Sequence, residues 1–134
     1  MERPLPVMQV AVVDDDPAWS LLMREAFAAA APEATIDTFT RPEPLLDRLR
    51  SGAERPDVIV LDLNLGGVDG TEALRTIREL PGGNDLKVVV LSASIALRDQ
   101  ELVGELGAIL YLRKPTSFTE LCEAVRIIVD AVTR

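Results

Sequence analysis

Polar residues follow four short apolar runs in this sequence. Asp14 and Asp15 come after the first run, Asp62 and Ser92 after two later runs, and Lys114 comes shortly after the last. If the runs are parallel strands, their carboxyl ends lie at one edge of a sheet, where the ligand sites of such sheets are found. We therefore expect these four segments to converge on one pocket.

These residue types predict phosphoryl-transfer chemistry. Three carboxylates brought together repel one another, so either their pKa values rise or a cation gathers between them. Oxygen ligands without histidine or thiolate select a hard ion, and Mg²⁺ is the ion we expect as cofactor. A carboxylate can accept a phosphoryl group as an acyl phosphate. Lys114 would then neutralise the phosphoryl oxygens, and the Ser92 hydroxyl would donate a hydrogen bond to them.

Composition excludes several other classes of protein. The chain has 134 residues, is 48% hydrophobic and carries a net charge of −8, so we expect one domain over residues 1–134 and no direct binding of nucleic acid or anionic membranes. It has no histidine, which excludes histidine-based triads and phosphohistidine carriers, and Cys122 is its only cysteine, which excludes an internal disulfide. With no apolar stretch near 20 residues and no signal peptide, we expect a cytoplasmic protein.

Apolar runs alternate with helical patterns along the whole chain, which is typical of repeated βα units around a parallel sheet. Asp16 and Pro17 are suited to the cap and first turn of the first helix. The predicted strands are 10–13, 35–39, 58–61, 88–91 and 109–112, and the predicted helices are 17–30, 43–50, 71–80, 98–106 and a fifth with an apolar stripe from Leu121 to Val132.

The motifs at these positions resemble the receiver domains of two-component response regulators, close to the chemotaxis-regulator type. In order, they are VVDD ending at Asp15, DVIVLDLNLGGVDG from Asp57 to Gly70, LSA from Leu91, and YLRKP from Tyr111. The resemblance spans nearly the whole chain. It implies an α/β fold with a doubly wound, five-stranded parallel sheet, the flavodoxin-like strand order 2-1-3-4-5 and five helices.

The resemblance also implies a role for each residue of the site. Asp62 would be the phosphoacceptor, Asp15 and Asp62 would bind Mg²⁺ directly, Asp14 would act through water, and the Asn64 backbone carbonyl would complete the protein ligands. Ser92 and Lys114 would contact the phosphoryl group. Asp16 is an alternative to Asp14 in the acidic pair, although its place before the proline suits a helix cap better.

Further residues match the switch and lifetime positions of the family. Ser92 and Tyr111 resemble the pair that moves on phosphorylation, and Asn64 and Ser94 resemble the two positions that tune the lifetime of the phosphate. The chain departs from the family at Gly66, where receivers commonly carry proline, and we expect a more flexible loop there. The resemblance further implies a cis peptide bond between Lys114 and Pro115.

The partners follow from the same resemblance. A sensor histidine kinase or a histidine phosphotransfer protein would supply the phosphoryl group, a downstream protein would read the switched surface, and a homodimer is one assembly that the family allows. The chain would not be an enzyme, apart from assisting its own phosphorylation and dephosphorylation. The alternatives are a non-switching docking module and the N-terminal receiver of a larger regulator with an output domain.

Overall fold

The computed structural model describes residues 8–93 and 96–134. Within these ranges, strands and helices alternate as predicted, and a small hairpin is added after the third strand. The strands are β1 (Gln9–Val13), β2 (Thr35–Phe39), β3 (Val58–Leu61), β4 (Asn64–Leu65), β5 (Val68–Asp69), β6 (Val88–Ser92) and β7 (Leu110–Arg113), and the helices are α1 (Pro17–Ala30), α2 (Glu43–Arg50), α3 (Gly70–Glu79), α4 (Leu97–Glu105) and α5 (Phe118–Thr133).

Five of the strands form one parallel sheet in the order β2-β1-β3-β6-β7. Counted among the sheet strands alone, this is the predicted order 2-1-3-4-5, so the predicted fold is confirmed. Strands β4 and β5 lie outside that sheet and pair with each other in antiparallel fashion.

Alternate residues of each strand point to opposite faces of the sheet, and each face is covered by helices. Val10 and Val12 of β1 pack on the side of α1 and α5, in a cluster that includes Phe27 and Ile128. Ala11 and Val13 of β1 pack on the other side with buried residues of α2, α3 and α4. Burial on both faces explains why the central strands are continuously apolar.

Polar side chains cap three of the helices. Asp16 accepts a hydrogen bond from the Ala18 amide at 3.0 Å, as the sequence predicts for the first helix. Asp69 accepts from both the amide and the hydroxyl of Thr71 at the start of α3, and Ser117 caps α5. No helix in the described ranges is long and apolar enough to cross a membrane.

One expectation about the backbone is wrong, and the loop at Gly66 has a specific turn geometry that sequence reasoning did not predict. The described residues contain no cis peptide bond, so the Lys114–Pro115 bond is trans, the form that X–Pro bonds favour by about 0.5–1 kcal/mol. The loop around Gly66 is a defined two-residue turn between β4 and β5, in which Gly66 and Gly67 have φ angles of 63° and 91°. Positive φ at both central residues is the type I′ pattern, which proline cannot adopt.

Candidate functional site

The two buried aspartates of the site leave the sheet from neighbouring strands. The Asp14 amide donates to the Phe39 carbonyl at 3.0 Å, and the Asp62 amide donates to the Val13 carbonyl at 3.0 Å. These bonds extend the parallel ladder by one residue beyond β1 and β3. As a result, both side chains project from the same carboxyl edge, where sequence reasoning expects the site.

Three carboxylates meet at this edge. One carboxylate oxygen from each of Asp14, Asp15 and Asp62 lies within 4.8 Å of the other two. Asp14 and Asp62 are only 2% and 5% exposed, whereas Asp15 is exposed to solvent. The cluster is therefore buried on one side and open on the other.

Lys114 bridges the two buried carboxylates. Its ammonium lies 2.7 Å from Asp14 Oδ2 and 3.1 Å from Asp62 Oδ2, and its side chain is 19% exposed. The Lys114 amide donates to the Ser92 carbonyl at 2.9 Å, which fixes the backbone of the segment after β7 to the end of β6. The lysine thus reaches the acidic cluster, as the sequence predicts.

Burial and charge pairing act in opposite directions on these groups. Burial raises the pKa of Asp14 above its ordinary 3.8, and hydrogen bonds from Lys114 and the Asp16 amide offset only part of that effect. Burial lowers the pKa of the Lys114 ammonium, but the hydrogen bonds to Asp14 and Asp62 outweigh it, so this pKa lies above its ordinary 10.5. The lysine stays charged, and its one ammonium is shared between two buried carboxylates.

Backbone amides orient the remaining carboxylate oxygens. Asp14 Oδ1 accepts from the Asp16 amide at 2.9 Å, and Asp62 Oδ1 accepts from the Asn64 amide at 3.1 Å. Asp16 itself caps α1, so the structure places Asp14, and not Asp16, beside Asp15 and Asp62.

The predicted switch residues lie on the two strands beyond β3. Ser92 is buried at the carboxyl end of β6, and Tyr111 of β7 is half-buried, opposite Val90 in the register. Tyr111 packs against the core cluster on the side of α3 and α4. Ser94, the second predicted lifetime position, lies outside the described residues.

A comparison with known families decides the identity of this arrangement. Residues 10–126 match the model of the response regulator receiver domain. The chain belongs to this family. The receiver domain is a signalling domain of two-component systems, which confirms the resemblance seen in the motifs.

Curated relatives and solved structures agree with this assignment. The phosphate regulon transcriptional regulatory protein PhoB of Rhizobium meliloti is 33% identical over 118 residues, which cover 88% of this chain and 50% of that protein. Transcriptional regulatory protein CreB of Escherichia coli is 33% identical over 114 residues, which cover 85% of this chain and 45% of that protein. The receiver thus spans about half the length of these relatives.

Two solved structures of response regulators superpose over nearly their whole length. The phosphorylated cyanobacterial phytochrome response regulator RcpA has a TM-score of 0.81 at 29% identity, with 93% of each chain covered. The Mn(2+)-bound form of response regulator Rcp1 has a TM-score of 0.79 at 28% identity, with 90% of this chain and 91% of that chain covered.

The acidic cluster of this receiver fits a divalent cation. Its donors are carboxylate oxygens, which hard ions prefer, and one of them, on Asp15, faces solvent. Burial has already raised the pKa of Asp14, so the charged form of that carboxylate lacks a partner that would stabilise it fully. A cation at this place would supply that partner.

Two features of the site were missed by sequence reasoning. The β4–β5 turn brings Gly66 against Asp15, so that a Cβ atom at this glycine would lie 3.1 Å from Asp15 Oδ2. The pair Gly66-Gly67 between two apolar residues is the signal that could have identified the hairpin. The other feature is Trp19, whose ring lies over the Lys114 ammonium. No local pattern indicates that contact.

Proposed function

We propose that this receiver accepts a phosphoryl group on Asp62 in a Mg²⁺-dependent reaction. The observation that carries the proposal is the placement of the Lys114 ammonium between the carboxylates of Asp14 and Asp62, with Asp15 beside them. Lys114 supplies a fixed positive charge to the phosphoryl oxygens, and such preorganised charge is the main source of catalysis in phosphoryl transfer.

In the proposed reaction, a carboxylate oxygen of Asp62 attacks the phosphorus of the donor and forms an acyl phosphate. The bond from phosphorus to the donor nitrogen or oxygen breaks, and the leaving group keeps the electron pair. The Asn64 amide holds the other Asp62 oxygen at 3.1 Å and so orients the attacking carboxylate. Ser92, at the end of the adjacent strand, is the proposed hydroxyl donor to the transferred group.

Asp14, Asp15 and Asp62 would hold the cation, together with the Asn64 backbone carbonyl. When bound, Mg²⁺ supplies charge neutralisation for the incoming phosphoryl group. The Mn(2+)-bound form of the similar response regulator Rcp1 supports the choice of a divalent ion. The phosphorylated form of the similar response regulator RcpA supports a covalent phosphoryl group in this receiver.

The remainder of the proposal concerns signalling. Residues 1–134 would act as one cytoplasmic receiver, phosphorylated by a histidine kinase or a histidine phosphotransfer protein, and read by a downstream protein. Ser92 and Tyr111 would move together and change the surface around α4. Asn64 and Ser94 would set the lifetime of the phosphate. Because residues 1–134 contain no histidine, a phosphohistidine that donates the phosphoryl group would lie outside them.

Intact mass spectrometry after incubation with Mg²⁺ and acetyl phosphate tests the central step. We expect the mass of one phosphoryl group to be added to the wild-type chain and not to Asp62→Asn. Asp130→Asn, an exposed aspartate on α5 outside the acidic cluster, is the matched control and should be labelled normally. Absence of labelling in the folded wild-type protein would identify a docking module that is not phosphorylated.

A further inference from the structure

Trp19 contacts the lysine of the proposed phosphoryl-transfer site. It is the third residue of α1, is half-buried and packs against the core cluster between the sheet, α1 and α5. The Lys114 ammonium nitrogen lies 4.9 Å from the centroid of its ring. This distance is within the range of about 6 Å over which an aromatic face attracts a cation.

The ammonium of Lys114 therefore has partners of two kinds. Asp14 and Asp62 accept its hydrogen bonds at 2.7 and 3.1 Å, and the indole ring lies over it. A lysine side chain is a flexible stem with several rotamers, so its charge is not held in place by the backbone alone. The ring of Trp19 reduces the number of positions that the ammonium can take.

We propose that Trp19 is a positioning residue for phosphoryl transfer, which holds the Lys114 ammonium beside Asp62 through its ring face. The inference rests on the proposed function, because it assigns to Trp19 an effect on the rate of that reaction. A charge already in place need not reorganise when the phosphoryl group arrives, whereas a mobile ammonium must first be ordered. Tryptophan suits this role because its ring attracts cations more strongly than the other aromatic rings.

The rate of Asp62 labelling by acetyl phosphate with Mg²⁺ tests the role of the ring. We expect Trp19→Leu to slow labelling by about 3- to 10-fold, because it keeps an apolar side chain but removes the ring. Trp19→Phe, which keeps an aromatic ring, should be labelled faster than Trp19→Leu but more slowly than the wild type. Leu21→Ala, on the same helix at a residue that is 58% exposed, is the control and should leave the rate unchanged.

If Trp19 served only in packing, the labelling rates of the variants would follow a different order. Leucine and phenylalanine are both smaller apolar residues than tryptophan, so packing alone predicts similar losses of stability and no advantage of phenylalanine in the labelling rate. Urea unfolding of each variant measures the stability separately. Equal labelling rates in folded wild type, Trp19→Leu and Trp19→Phe would overturn the proposal, as would equal slowing in the two variants.

Fluorescence gives a readout that does not depend on phosphorylation, since Trp19 is the only tryptophan of the chain. We expect Lys114→Met to change the emission of Trp19, whereas Lys87→Met, at the other lysine, should not. Identical emission spectra of wild type and Lys114→Met would overturn the contact. If wild type is not labelled at all while Lys114→Met still changes the emission, the proposed function fails and the contact stands.

Discussion

At Asp14, the burial of the side chain opposes its ionisation. It is almost fully buried, faces a second buried carboxylate and shares one ammonium with it. Burial raises the pKa of Asp14 despite the hydrogen bond from Lys114, so ionisation of this residue opposes folding. The ionised form of Asp14 is also the form that would bind a cation. Asp14 would therefore contribute to cation binding while its charge lowers the stability of the fold.

Without divalent cations, we therefore predict that Asp14→Asn raises the free energy of unfolding at pH 7. A carboxyl whose pKa is raised in the folded state destabilises it fully at high pH, and this effect disappears as pH falls through the raised pKa towards 3.8. The advantage of Asp14→Asn should shrink in the same direction. Urea unfolding in EDTA at several pH values measures it, with Asp130→Asn as control. An advantage that grows at lower pH would contradict the prediction.

The β4–β5 hairpin contains Gly66, the position at which this receiver differs from receivers that carry proline. Its two glycines have positive φ, so both positions disfavour any other residue, but they differ in what surrounds them. An added Cβ at Gly66 meets Asp15 Oδ2 at 3.1 Å, whereas nothing lies within 4 Å of one at Gly67. The hairpin therefore sets the room available to the Asp15 carboxylate.

Gly66→Ala and Gly67→Ala form a matched pair for this effect. Both should lower the free energy of unfolding by about 1 kcal/mol, the ordinary cost of alanine at positive φ. Only Gly66→Ala should also weaken Mg²⁺ binding, by about 10-fold, because it displaces the Asp15 carboxylate. Titration calorimetry measures the affinity. Equal Mg²⁺ affinities of the two variants would show that the hairpin does not position Asp15.

On the scale of the whole molecule, the side of the sheet at the carboxyl ends of the strands and the side at their amino ends have different roles. The carboxyl edge holds the acidic cluster, and at the amino edge Arg78 joins the connections that enter β6 and β7. Its guanidinium donates to the carbonyls of Gly83, Leu86, Leu106 and Gly107 at 2.6, 2.6, 2.7 and 3.1 Å. One side chain thus donates hydrogen bonds to four backbone carbonyls at helix ends and in loops.

Arg78→Ala should lower the free energy of unfolding by about 2 kcal/mol, because it removes charge-assisted hydrogen bonds from several carbonyls at once. Arg75→Ala, an exposed arginine on the same helix, should change it by no more than about 0.5 kcal/mol. The folded Arg78→Ala variant should still accept phosphate on Asp62 at the wild-type rate. A loss of labelling in the folded variant would show that the two edges are coupled.

The order of elements could be read directly from the sequence. Continuous apolar runs such as 58–61 predict strands buried on both faces, and Asp16 with Pro17 marks the start of α1, because burial pattern and capping depend on residues close together in the chain. The predicted ends of β6 and β7 are one residue earlier than the ends in the structure. The last residue of each strand is added by pairing with its neighbour, which no local pattern encodes.

Contacts within the site needed the tertiary structure. The motifs predicted that Asp14, Asp62 and Lys114 would converge, but the bridge by one ammonium depends on the register between β6 and β7 and on the backbone bond to Ser92. The contact of Trp19 with Lys114 joins residues at nearly opposite ends of the chain. Residue types and spacing determined which chemical groups this receiver has. Only cooperative packing of the sheet and helices decided which of those groups touch, because contacts between distant residues depend on the whole fold.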